Sequence, residues 1–226
     1  MKDLKTHLSI LLIDDHPIVL KAYRDALDYT TRQKGWTFDI TEARNSNEAL
    51  RHLERISPVY QIDLVFLDIQ LPPSDNGTVI SGDDLGLKIR QRSPQTRIAV
   101  LTTYNDPYRI HCILQNLQPE GFIVKNDLEG DEMFFIIRNI MCNPPYHSAT
   151  VSQALRSVIS GPVLDKVDRR LLYELSQGAT LEQVEKVVPL GRSGIIKRKN
   201  KLKFKFGIPD GDDKALLKVA REKGFI

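Results

Sequence analysis

Five strand patterns alternate with five helical ones, and four more helical patterns follow with no strand between them. This order predicts an α/β chain: a doubly wound (βα)5 parallel sheet joined to a small all-α, four-helix domain. Two further observations agree. Apolar runs such as Leu64-Val65-Phe66-Leu67 are continuous, which suits a strand covered on both faces. Charge divides along the chain: residues 1–162 carry 17 Lys/Arg against 20 Asp/Glu, and residues 163–226 carry 15 against 9. At 226 residues there is room for two cores, and 41% hydrophobic with 27% charged residues is the balance of a soluble globular protein.

The elements follow in order. Strands are expected at 8–13, 36–43, 62–67, 97–101 and 120–124, with helices at 17–33, 46–56, 83–92, 106–117 and 129–141. Asn45 and Glu48 make a capping pair ahead of the second helix. Pro72-Pro73 breaks the chain after Asp68, and SDNGTVISGDD reads as a long, mobile loop. The first domain therefore spans 1–141. Residues 142–162 are the expected linker, bounded by Pro144-Pro145 and Gly161-Pro162, with room for a short helix in SATVSQALRSVI. The second domain, 163–226, has helical patterns at 165–177, 180–187, 192–206 and 212–223. Gly178 serves as a C-cap, and Thr180 with Gln183 as a capping box.

No apolar run approaches the roughly 20 residues that a membrane helix needs. The start, MKDLKTH, lacks the apolar core of a secretory signal, and Cys112 and Cys142 show no metal-ligand spacing. The expectation is a cytoplasmic protein with no membrane association and no structural disulfide.

The strand ends carry the chemistry. IDLVFLD ends on Asp68, SILLIDD on Asp14 and Asp15, RIAVLTT places Thr102 at a strand end, and GFIVK places Lys125 at another. In an open α/β sheet these carboxyl ends lie on the edge that binds ligands. Each residue alone is ordinary, since a DD pair after a strand is more often a solvated turn and a lone lysine more often a surface charge. Their joint placement is the signal. Paired carboxylates suit Mg²⁺, which takes one or two carboxylates, waters and phosphate oxygens. With that charge neutralised, Asp68 is placed to attack phosphorus as a nucleophile, Thr102 to hydrogen-bond one phosphoryl oxygen and Lys125 to pair with another.

The segments IDDHP, FLDIQLP, LTTY and GFIVKND resemble, over about 1–141, the receiver domain of bacterial response regulators. The resemblance implies that Asp68 is phosphorylated by a sensor histidine kinase. It also implies that Mg²⁺ is bound by Asp15, Asp68 and the backbone carbonyl of Gln70, with Asp14 acting mainly through water. Thr102 and Lys125 would be the switch hydroxyl and lysine. Phe122 stands at the aromatic switch position, where Tyr is common, so any rotation there is driven by packing alone. The loop after Pro72 is several residues longer than the family pattern.

From Arg192 to Lys205 there are seven cations and no acid. On a helical wheel Ile195, Leu202 and Phe206 share a core face, while Lys197, Arg198, Lys201 and Lys205 fall together as a basic stripe. A solvated lysine-rich face normally intersperses Glu, and none is present. Preceded by a short helix and a turn, this reads as a helix-turn-helix whose third helix enters the major groove, with Arg192, Ser193, Lys197, Arg198, Lys201 and Lys205 as contacts to double-stranded DNA. Residues 163–226 resemble the LuxR-type four-helix DNA-binding domain, with AREKGFI fitting well. Two positions depart from it. Gly194 replaces a hydroxyl residue at the helix start, and Lys199 sits at a normally apolar place from which its stem must snorkel. Phe204 lies off the core face, packing on the fourth helix or near a subunit contact. Leu216, Leu217 and Val219 are either a homodimer contact or the end of the domain's core.

The resulting expectation is a response regulator transcription factor, non-enzymatic apart from autocatalytic phosphoryl acceptance and slow self-dephosphorylation. The alternative is a phosphorylation-independent protein-binding adaptor with a degenerate helix-turn-helix. A phosphatase ranks low, because no second acid/base stands beside Asp68.

Overall fold

The apolar runs become strands β1 (His7–Ile13), β2 (Thr37–Ala43), β3 (Leu64–Asp68), β4 (Arg97–Thr102) and β5 (Gly121–Val124), each within two residues of its expected limits. The computed structural model describes residues 7–57, 59–128, 132–157 and 164–226. Two compact units make up the chain, Met1–Thr103 with Leu117–Gln153, and Tyr104–Asn116 with Ala154–Ile226.

In the first unit every strand pairing is parallel and the order is β2-β1-β3-β4-β5-β6. The chain reverses its winding between β1 and β3, so the ends of these two strands flank the crevice where such sheets take ligands. Helices α1 (Pro17–Lys34) and α5 (Met133–Cys142) supply Leu20, Tyr23, Leu27, Ile136, Ile137 and Ile140 to one buried cluster with Leu8, Ile10, Leu12, Leu64, Phe66, Ala99, Leu101 and Ile123 of the strands. The start of the fifth expected helix, 129–131, lies outside the described residues. Helix α2 (Ser46–Glu54) begins as expected, with the Asn45 side chain accepting from the Glu48 amide.

Two features differ from the expectation. Inside 142–162, Tyr146–His147 form a sixth strand, β6, in register with Gly121 and Phe122, and helix α6 (Ala149–Ser157) follows. A two-residue strand has no periodicity to read, and Pro144-Pro145 announced only a break. The Gly161-Pro162 boundary lies outside the described residues. The loop after Pro72, expected to be mobile, is instead closed by hydrogen bonds. The Ser74 amide donates to Val79 O (2.8 Å), the Asp75 amide to Asn47 Oδ1 (3.1 Å) and Ser46 Oγ to Pro72 O (2.8 Å), pinning the loop to the start of α2. It leads into α3 (Gly82–Arg92).

The second unit holds α4 (Pro107–Leu117, of which Leu117 falls in the first unit), α7 (Lys166–Ser176), α8 (Leu181–Glu185), α9 (Arg192–Lys205) and α10 (Asp213–Glu222). Its core is Leu164, Leu171, Leu172, Val184, Ile195, Leu202, Leu216 and Ala220, with Cys112 of α4 in the same cluster. Phe206 stacks on Phe225 at 5.8 Å. Leu216 is fully buried and Leu217 packs against this cluster, so Leu216 finishes the core. Both expected caps form: Thr180 and Gln183 make a capping box, and Gly178 follows α7 with φ 80°.

Candidate functional site

Alternation along the strands decides which way the acidic side chains point. Leu12, Phe66 and Ile123 all face the α1/α5 cluster, so Asp14, Asp68 and Lys125, each two residues further on, emerge on that same side at the carboxyl edge. There they meet. Lys125 Nζ donates to Asp14 Oδ2 at 2.6 Å and to Asp68 Oδ2 at 2.7 Å. The other oxygen of Asp68 accepts from the Gln70 amide (3.0 Å), and that of Asp14 from the His16 amide (3.0 Å). Asp14 is 0% and Asp68 1% exposed, so the ammonium is what makes two buried carboxylates tolerable side by side.

Burial pushes the Asp68 carboxyl above the usual carboxylate range and the Asp14 charge adds to it, while Lys125 and the Gln70 amide only partly offset the rise. Burial alone would lower the Lys125 ammonium, but its contacts with Asp14 and Asp68 hold it above its ordinary value. Carboxylate or imidazole atoms of Asp14, Asp15, His16 and Asp68 all lie within 4.8 Å of one another. Asp15 Oδ1 is out of water and makes no hydrogen bond among the described residues, although His16 Nδ1 is 2.8 Å away. Three carboxylates face one ammonium and one imidazole, so acidic groups outnumber basic ones, and Asp15 Oδ1 has no hydrogen bond among the described residues. A hard divalent cation fits both facts.

The basic helix divides differently from the expected stripe. Arg198 pairs with Asp165 and, at 2.7 Å, with Asp168, and Lys205 reaches Asp168 at 3.4 Å. Lys199 and Lys203 both reach Asp213. These acids come from α7, its N-cap and α10, which a search for Glu within the helix itself does not find. Lys199 snorkels as expected, but to an acid. Arg192, Ser193, Lys197 and Lys201 are exposed, and neither Lys197 nor Lys201 has an ion pair among the described residues. Phe204 is 75% exposed, so it does not pack on the fourth helix.

The sequence profile described as "Response regulator receiver domain" matches residues 10–133, more than half the chain. The chain belongs to the response regulator receiver family. Among curated relatives, the oxygen regulatory protein NreC of Staphylococcus haemolyticus is 22% identical over 148 residues, 66% of this chain and 61% of that protein; NreC of Staphylococcus aureus is 23% identical over the same shares. The match thus spans less than two thirds of these relatives' length. Among solved structures, the Salmonella typhimurium response regulator RcsB superposes with a TM-score of 0.65 at 22% identity, covering 96% of this chain and 98% of that one. A second RcsB structure, bound to promoter rprA with the phosphomimetic BeF3−, gives 0.68 at 21%, covering 94% and 98%. At this identity the likeness is one of fold.

Within the receiver, Thr102 ends β4 fully buried, one residue past the Leu101 that pairs with Asp68. Its neighbour Thr103 donates to the Gln70 side chain. Phe122 is already buried at 0% exposure, in register between Val100 and His147. Tyr23 escaped the sequence reading, because at its place in α1 it reads as core. Its ring stacks on Phe66 at 6.2 Å and its hydroxyl is buried with no hydrogen-bond partner among the described residues. The receiver shows no helix among its described residues long and apolar enough to cross a membrane, and neither does the rest of the described chain.

Proposed function

We propose that this chain is a phosphorylation-controlled transcription factor: Asp68 accepts a phosphoryl group from a sensor histidine kinase, and the C-terminal helices bind double-stranded DNA. The observation that carries the reading is Lys125 Nζ held between Asp14 and Asp68 at 2.6 and 2.7 Å, an acid–base constellation drawn from the ends of β1, β3 and β5. An Asp68 oxygen attacks phosphorus, the donor's bond to phosphorus breaks with its electron pair, and the leaving atom takes up a proton. Lys125 then has a phosphoryl oxygen to bind in place of the carboxylates, and Thr102 donates to another. Asp15, Asp68 and the Gln70 backbone carbonyl would hold Mg²⁺, with Asp14 acting through water. When bound, the ion neutralises charge on the phosphoryl oxygens. Beyond this self-modification and its slow reversal, no enzymatic turnover is assigned.

On the DNA side, Arg192, Ser193, Lys197 and Lys201 are the accessible contacts, whereas Arg198 and Lys205 brace α9 against Asp165 and Asp168. RcsB has been solved on promoter DNA and as two dimers on two parallel DNAs, and the shared fold supports a homodimer presenting paired α9 helices in the cytoplasm. A second reading, a protein-binding adaptor, is favoured by the capture of four α9 cations by acids. Two experiments decide. Asp68→Asn should abolish acid-labile phosphate uptake from acetyl phosphate with Mg²⁺, and persistent labelling would mean a different acceptor. Titration with random duplex DNA at two salt concentrations should show binding that weakens steeply with salt, whereas no binding at low salt supports the adaptor.

A further inference from the structure

The exposed side of α9 is ordered into two rows. Ile196, Asn200 and Phe204 follow one another at i, i+4 and i+8, and all three are exposed, Ile196 by 42% and Phe204 by 75%. Beside them Lys197 and Lys201 form a parallel cationic row with no acid paired to it among the described residues. The other cations of the helix, Arg198, Lys199, Lys203 and Lys205, are turned away onto Asp165, Asp168 and Asp213. What remains accessible is an apolar–amide–apolar ridge flanked by positive charge, with Arg192 at its start.

That pattern suits a polyanion with apolar groups and an amide-sized hydrogen-bonding edge on its floor. At 1.5 Å per residue the ridge spans about 12 Å, or about three and a half base steps. In a major groove, an A·T pair offers the thymine methyl for apolar contact and the adenine N6/N7 edge for an Asn, while phosphates line the walls. A groove on a protein partner would ask for a continuous apolar row, which Asn200 interrupts.

We propose that α9 reads A·T base pairs: Ile196 and Phe204 contact thymine methyl groups, Asn200 an adenine edge, and Lys197 and Lys201 the flanking phosphates. This rests on the DNA-binding reading and adds the sequence class to it.

The test uses the full chain, incubated with acetyl phosphate and Mg²⁺, to select duplexes from a random pool. The best duplex is then remade with deoxyuridine in place of single thymines, a change that cannot disturb the protein's folding. An A·T-rich core is expected, with affinity falling about fourfold at each contacted thymine, from about 0.8 kcal/mol per buried methyl-sized group. Phe204→Ala and Ile196→Ala should each erase the response at one thymine. Asn200→Ala should relax the adenine preference by about fivefold or more, since a good side-chain–base pair discriminates by about 1–3 kcal/mol. A G·C core, or deoxyuridine duplexes bound as tightly as thymine ones, overturns the proposal while salt-dependent binding leaves the DNA reading standing. No duplex binding at low salt overturns both.

Discussion

At Gly82 the backbone passes so close to Asp68 that a methyl group has no room. A Cβ there would lie 2.1 Å from the Asp68 carbonyl oxygen and 2.7 Å from Ile69 Cα, and the Gly82 amide donates to Ile69 O at 3.0 Å. Gly82→Ala must therefore shift the end of β3. We expect it to cost about 1–3 kcal/mol in thermal unfolding and to slow phosphate uptake from acetyl phosphate; an unchanged melt and unchanged labelling would show that the loop yields instead. Tyr23 poses the reverse case. Burial, then the charges of Asp14 and Asp68, hold its phenol proton far above the ordinary range, and the hydroxyl has no hydrogen-bond partner among the described residues. Tyr23→Phe should leave the chain equally stable or raise stability by about 1–3 kcal/mol, whereas a lower melting temperature would reveal a hidden partner for that oxygen. Asp14, Asp68 and Lys125 were legible because each terminates an apolar run. Gly82 and Tyr23 were not, because a close approach and an orphaned hydroxyl exist only once strands and helices are packed.

Among the elements, α9 shows how a local pattern and a tertiary one compete. The sequence displays its core stripe correctly, with Ile195 and Leu202 both at 0% exposure. It also displays seven cations as equals, which they are not. Asp165 is the N-cap of α7 and forms a capping box with Asp168, and the same two acids receive Arg198. One pair of carboxylates thus caps one helix and anchors another. Arg198→Ala should destabilise the helical unit by about 1–2 kcal/mol, a value reduced because Arg198 is partly in water, whereas Lys197→Ala should leave unfolding unchanged and lower DNA affinity across sequences. Equal melting temperatures for the two variants would mean that the Arg198 pairs contribute nothing. Strand β6 is the element that no periodicity foretold; its two residues are held by Tyr146 N donating to Glu120 O and Ser148 N to Phe122 O.

For the whole molecule, four carboxylates link folding to pH, three of them depressed. Burial would raise Asp127, Asp165 and Asp213, yet each is held below its ordinary value of 3.8: Asp127 by Ser148 and Thr150, Asp165 by the Asp168 amide and Arg198, Asp213 by Lys199 and Lys203. A depressed carboxyl contributes stability that is present above the unfolded value and lost as pH falls through the folded one. Asp68 has the opposite sign, because its raised carboxyl favours the folded state in acid and loses that contribution as pH rises through the folded value. Since the depressed groups lie in both units, thermal melts from pH 7 to 3 should show both weakening below about pH 4. A flat profile over that range would rule out these pairs as contributors. The order of strands and helices, the acidic strand ends and the basic third helix were all set locally, because alternation, continuous apolar runs and caps act within a few residues of chain. Tertiary structure alone decided which cations stay available, how closely Gly82 approaches Asp68 and where β6 pairs. Those outcomes depend on groups far apart in sequence being brought within a few ångströms, and no local pattern encodes that distance.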